Sequence, residues 1–156
     1  MDEPLRVLRR NLDFLSRALS AASLRRVWYE ALYRLQDTLW NGVLVRQSFT
    51  ALGAAQFAHD AGALLALVDR YLPAGSSALE PLRQGLRLLN LPSSSSAPAA
   101  GAGPTTMTLK EAADRAFASN EEARRLLEEL GLEALTPTNA RQILERRVEN
   151  SESIGW

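Results

Sequence analysis

The chain has 156 residues, 46% of them hydrophobic, with 18 basic against 18 acidic residues and no cysteine. That suffices for one domain, or one domain with a small satellite, and for a real apolar core. The zero charge balance argues against a dedicated nucleic-acid or anionic-membrane binder, and the missing thiols exclude disulfides, thiolate metal sites and cysteine catalysis.

Helical period dominates, and no stretch alternates convincingly with period two. A first helix is predicted from Pro4 to about Ala22, with Asp2 and Glu3 where the helix dipole favours negative charge. Leu5, Leu8, Leu12, Leu15 and Leu19 form its apolar stripe, which Val7, Phe14 and Ala18 widen toward the breadth of a packed bundle. Ser23 reads as the N-cap of a longer helix over about Leu24 to Val45. On it Leu24, Val27, Trp28, Ala31, Leu32, Leu35 and Leu39 share one face, and Tyr29, Tyr33, Trp40 and Leu44 form a second stripe. Only the strip holding Arg26, Glu30, Arg34, Asp37 and Asn41 is clearly polar. A helix this apolar must be central in a bundle or covered by a partner.

A third helix is predicted over Thr50 to Leu72, burying Ala54, Phe57, Ala58, Ala61, Leu64, Leu65, Val68 and Leu72. Pro73, Gly75, Ser76 and Ser77 break the chain before a fourth helix with Leu79, Leu82, Leu86 and Leu89 in register, which Pro92 ends. Two capping boxes, Thr108 with Glu111 and Ser119 with Glu122, open two short helices. Gly131 is a C-terminal stop, and Thr136-Pro137 starts a last helix carrying Ala140, Ile143, Leu144 and Val148. Arg or Asp interrupts each leucine-rich stretch, so no apolar run of membrane-spanning length is expected; with no secretory signal at the start, the chain reads as soluble and cytoplasmic.

These elements predict an all-α fold. A helical bundle of about four helices occupies residues 1–91, and a flexible Ser/Ala/Gly/Pro linker follows over 92–106. A small helical unit over 107–149 docks on the bundle, and a tail over 150–156 frays.

Parts for catalysis are missing. His59 is the one histidine, and a helix points it about 100° away from its neighbour Asp60. With Gln56 and Asp69 it reads as a solvated face. Glu121-Glu122 and Glu128-Glu129, beside Arg124 and Arg125, read as a charged helix exterior. Gly53 to Gln56 lacks the lysine and preceding strand of a phosphate loop. No enzyme activity, catalytic residue, metal or cofactor is expected. The doublets Arg9-Arg10, Arg25-Arg26 and Arg146-Arg147 are a weak nucleic-acid signal without interleaved aromatics. Tyr29, Tyr33 and Trp40 are candidates of another kind: either bundle core, or a face for a partner helix, since aromatics dominate interface hot spots.

The segment Phe49-Thr50-Ala51-Leu52-Gly53-Ala54-Ala55-Gln56-Phe57-Ala58-His59-Asp60 resembles a signature in the C-terminal region of the RINT/TIP family. Leu88-Leu89-Asn90-Leu91, Leu130-Gly131-Leu132 and Ala140 to Leu144 resemble later segments of the same region. Leu52 stands where the family usually has a glycine, and the linker resembles an insertion. Family proteins are several times longer, so the chain is expected to be a fragment or a truncated product. The resemblance implies a tether-subunit-like helical fold from the ER-side Dsl/NRZ vesicle-tethering complex, acting in Golgi-to-ER retrograde transport. It implies protein partners, namely the N-terminal region of an ER SNARE and other tether subunits, which would hold the chain at the cytoplasmic side of the endoplasmic reticulum membrane. No nucleic-acid partner is expected. Replacing Trp40 and Tyr33 should then weaken partner capture while helicity persists. Two alternatives stand beside this one: a nucleic-acid-associated regulatory helical module using the arginine doublets, and a structural helical oligomer.

Overall fold

The computed structural model describes residues 2–72, 75–93 and 107–151, and among these the fold is all-α. The helices are α1 (Asp2–Ala18), α2 (Ala21–Leu39), α3 (Ala51–Tyr71), α4 (Glu80–Leu89), α5 (Leu109–Ala118), α6 (Asn120–Glu129), α7 (Pro137–Leu144) and α8 (Val148–Ser151). A π-helical turn, Trp40–Leu44, continues α2, and a 3-10 helix, Gly75–Leu79, leads into α4. Most of the expected linker, 94–106, and the tail beyond Ser151 lie outside the described residues.

Two apolar clusters hold the helices together. One joins Leu24 and Leu32 of α2 with Leu64, Leu65, Val68 and Leu72 at the end of α3 and with Leu79. Leu5, Leu8 and Leu15 of α1 pack against it with Leu19 just past the helix end, and Tyr71 ties α3 to α1 by donating its hydroxyl to Asp13 Oδ1 at 2.6 Å. The other cluster is larger. Leu44, Ala54 and Ala61 meet Leu82 and Leu89 of α4 there, together with Leu109, Leu126 and Ile143 from beyond the linker. Burial of this kind contributes roughly 1.5–3 kcal/mol per large side chain, so the second cluster fastens 107–149 onto the first helices.

Local boundaries follow from caps. Ser20, not Ser23, is the N-cap of α2: its hydroxyl accepts the Ser23 N–H at 3.3 Å. Ser23 is the first serine before the leucine rows, but Ala21 and Ala22 already belong to the helix. Thr108 and Glu111 form the expected reciprocal box. At Ser119 only half of the box forms, because the Glu122 carboxylate turns to Arg125 and Arg115. A further box joins Thr136 and Asn139 at the start of α7. Gly131 takes φ 63°, and the Leu132 N–H returns to Leu127 O at 2.8 Å, a left-handed stop that glycine adopts without strain.

Four expectations need correction. Val7, Phe14 and Ala18 do not widen the buried stripe of α1: among the described residues no helix covers that side, and Phe14 is 70% exposed. The α-helical part of the second helix ends at Leu39 rather than reaching Val45, since the backbone widens into the π turn. Val148 is not on α7, which stops at Leu144. There the chain turns so that Phe49 and Arg147 form an isolated parallel β-bridge, with the Val148 N–H donating to Phe49 O at 3.0 Å. Finally, α3 is long and apolar enough, by length and composition alone, to cross a membrane. Its Ala54, Ala61, Leu64, Leu65 and Val68 are buried among the other helices.

Candidate partner-binding groove

The α2 helix divides its circumference. Leu24 and Leu32 are buried and Trp28, Leu35 and Leu39 half-buried, facing α1, α3 and the 3-10 helix. The opposite strip carries Tyr29, Tyr33 and Asp37 at four-residue spacing, all exposed. Tyr33 is 71% exposed, more than any other aromatic among the described residues. Trp40 then sits where the α-helix passes into the π turn, whose Val45 N–H reaches back five residues to Trp40 O at 3.1 Å. The widened turn lets Trp40 lean on the core: its Cζ3 lies 3.2 Å from where a Cβ on Gly85 of α4 would be.

Tyr33, Gln36, Asp37 and Trp40 form one wall of an open groove of about 320 Å³, and Ala78, Pro81, Ala134 and Asn139 form the other. Both walls are fixed from behind. Gln36 Oε1 accepts the Leu82 N–H at 3.3 Å, satisfying a free donor at the start of α4. The Ala134 N–H donates to Gln84 Oε1 at 2.8 Å, and Asn139 is held in its capping box with Thr136. Such a groove has the open, half-apolar lining that can seat side chains of a partner helix. Residues 1–147, from α1 through the turn after α7, match the RINT-1/TIP-1 family.

The chain belongs to the RINT-1/TIP-1 family. No curated protein and no solved structure matches it. RINT-1/TIP-1 is a family of tether subunits not known as enzymes, so membership suggests a tethering-related role in membrane traffic and partners within a protein complex.

In this RINT-1/TIP-1 chain the groove unites two of the three aromatic candidates, Tyr33 and Trp40. Tyr29 lies one turn earlier, exposed but outside the lining. Asp37 lines the groove beside the aromatics, although the sequence assigns it to the polar strip; its place four residues after Tyr33 was the available signal. Ala78, Pro81, Ala134 and Asn139 had none, because the opposite wall comes from distant segments.

The remaining candidates stay apart. His59 is exposed, 3.6 Å from Asp60, whose carboxylate also accepts from Gln56 at 3.1 Å. Among the described residues no group of three or more His, Asp or Glu is placed to hold a metal. Arg115 of α5 grips Glu129 of α6 with two bonds, 2.6 and 3.0 Å, which hold that carboxyl below its ordinary pKa. Arg9, Arg10, Arg25 and Arg26 are exposed, whereas Arg147 is buried and unavailable to nucleic acid.

Proposed function

We propose that the chain is a non-catalytic interaction module of a vesicle tether acting in Golgi-to-ER retrograde transport. Its task is to seat a helix from the N-terminal region of an ER SNARE, or from another tether subunit, against Tyr29, Tyr33 and Trp40. Partners of that kind hold it at the cytoplasmic side of the endoplasmic reticulum membrane. Family membership supports the tethering role. The observation that carries the binding face is Tyr33: a large, stiff side chain, 71% exposed, stands at the lip of a groove with an indole in its wall. Exposed aromatics on a rigid helix beside a groove suit helix-in-groove recognition, in which a few such anchors supply most of the affinity.

The test is a calorimetric titration of the purified chain with the N-terminal helical regions of ER SNAREs and with partner tether subunits. Replacing Tyr29 and Tyr33 together with Ala should weaken the productive interaction about tenfold or more, in line with hot-spot truncations. Circular dichroism should not change, because neither ring is buried. Undiminished affinity in the double variant would remove this face from the account. Trp40→Ala is the poorer probe, since its ring also packs on the core.

A structural oligomer is the second reading, favoured by Val7 and Phe14, which stand uncovered two turns apart on α1. Sedimentation separates the two: self-association abolished by Phe14→Ser supports the oligomer, and a monomer at all concentrations eliminates it.

A further inference from the structure

The groove has a charge pattern that narrows what can enter it. Asp37 lies four residues after Tyr33 and three before Trp40, so a carboxylate sits between two aromatic rings on one face. Its one hydrogen bond comes from Asn41 Nδ2 at 2.7 Å, and no cation pairs with it among the described residues. The nearest basic side chain on α2, Arg34, is held by Glu30 at 3.0 Å. Among the described residues no basic side chain lines the opposite wall, and Arg83, the base nearest to Pro81 in the chain, is engaged by Glu80 at 3.6 Å. The neutral polar groups Gln36 and Asn139 are engaged within the protein. The groove is thus lined by exposed Tyr33 and half-buried Trp40, with the Asp37 carboxylate in the same lining.

We propose that this groove receives an arginine side chain of the partner segment, stacked against Tyr33 and Trp40 with Asp37 as its counter-charge. A cation over an aromatic face is drawn to the ring's negative quadrupole, and a planar guanidinium can stack and donate hydrogen bonds at the same time. An ammonium group would satisfy the charge but not the stacking. The proposal rests on the groove being the partner site, and it adds that the recognised segment is basic at the position entering it.

The probe is a capped helical peptide with one central arginine, compared with the same peptide carrying neutral, nearly isosteric citrulline. Binding is followed by the Trp40 indole N–H resonance, assigned by its loss in Trp40→Phe. The arginine peptide should move that signal, and citrulline should bind roughly tenfold more weakly, the size expected for losing a charge-assisted contact. Asp37→Asn, which keeps an oxygen for Asn41, should reduce the arginine peptide to the citrulline level. Glu121→Gln, on exposed α6, should leave it unchanged. Equal binding of both peptides, full affinity in Asp37→Asn, or no shift at Trp40 would overturn the proposal. A SNARE or tether partner that needs Tyr33 but ignores Asp37→Asn would overturn the arginine assignment and leave the groove standing. A partner indifferent to Tyr33→Ala would overturn the groove itself.

Discussion

Arg147 and Glu149 are joined by two N–H···O bonds of 3.0 Å each, with the Arg147 side chain only 2% exposed. The same guanidinium donates to Leu89 O at 2.7 Å and to Ser93 Oγ at 3.0 Å. One buried cation thus satisfies the end of α4 and fastens the turn before α8 to it. Replacing Arg147 with Met removes these bonds and takes the Arg147 donor from the buried Leu89 carbonyl. The expected loss is roughly 1–3 kcal/mol, the cost of leaving a buried carbonyl without its donor, because Glu149 is 37% exposed and can turn to water; urea denaturation reads it.

The bond from Arg147 is also the largest cause holding the Glu149 carboxyl below its ordinary pKa. A depressed folded-state value contributes stability above the unfolded-state pKa and loses it as pH falls through the folded one. Between about pH 5 and 3 the wild-type chain should therefore lose stability more steeply than Glu149→Gln. Parallel pH profiles in the two proteins would contradict the pairing.

Gly85 marks the closest approach of three elements. A Cβ there would lie 2.8 Å from Leu44 Cδ2, and 3.2 Å from both Ile143 Cδ1 and Trp40 Cζ3. Gly85→Ala gains up to about 1 kcal/mol in helix propensity. Overpacking costs typically about 1–3 kcal/mol, and here it should win. A lowered melting temperature with an altered Trp40 environment in near-ultraviolet dichroism is expected.

The Leu109 N–H donates to Pro92 O at 2.8 Å, so the residues flanking 94–106 meet. Replacing 94–106 with a Gly/Ser segment half as long should change stability by about 0.6 kcal/mol, the loop-closure term. Ending the chain at Ser93 is a different matter. It uncovers Leu44, Leu82 and Leu89, which pack with Leu109, Leu126 and Ile143, and cooperative unfolding should be lost.

The sequence shows what regular spacing can show. Apolar residues at steps of three and four place α1, α3, α4, α6 and α7, because each must bury one stripe. On α2 the aromatic spacing places Tyr33 and Trp40 on the side that lines the groove, with Tyr29 one turn outside it. Three things escape periodicity. The π turn after Leu39 changes which way Trp40 and Leu44 face, and nothing in Trp40-Asn41-Gly42-Val43-Leu44 announces it. The doublet Arg146-Arg147 looks like a solvated exterior, yet Arg147 is drawn inward by carbonyls from α4 that only the folded chain presents. Phe14 looks like core from its place beside the leucine stripe, yet it is 70% exposed.

Hydroxyl-radical footprinting tests the groove most directly, because Tyr33 and Phe14 are equally open, at 71% and 70%, on neighbouring helices. With a SNARE or tether partner bound, oxidation of Tyr33 should fall severalfold while that of Phe14 stays at its unbound rate. Protection of Phe14 with Tyr33 still fully reactive would place the partner on the other side of the helical pair and contradict the claim that α2 presents the binding face.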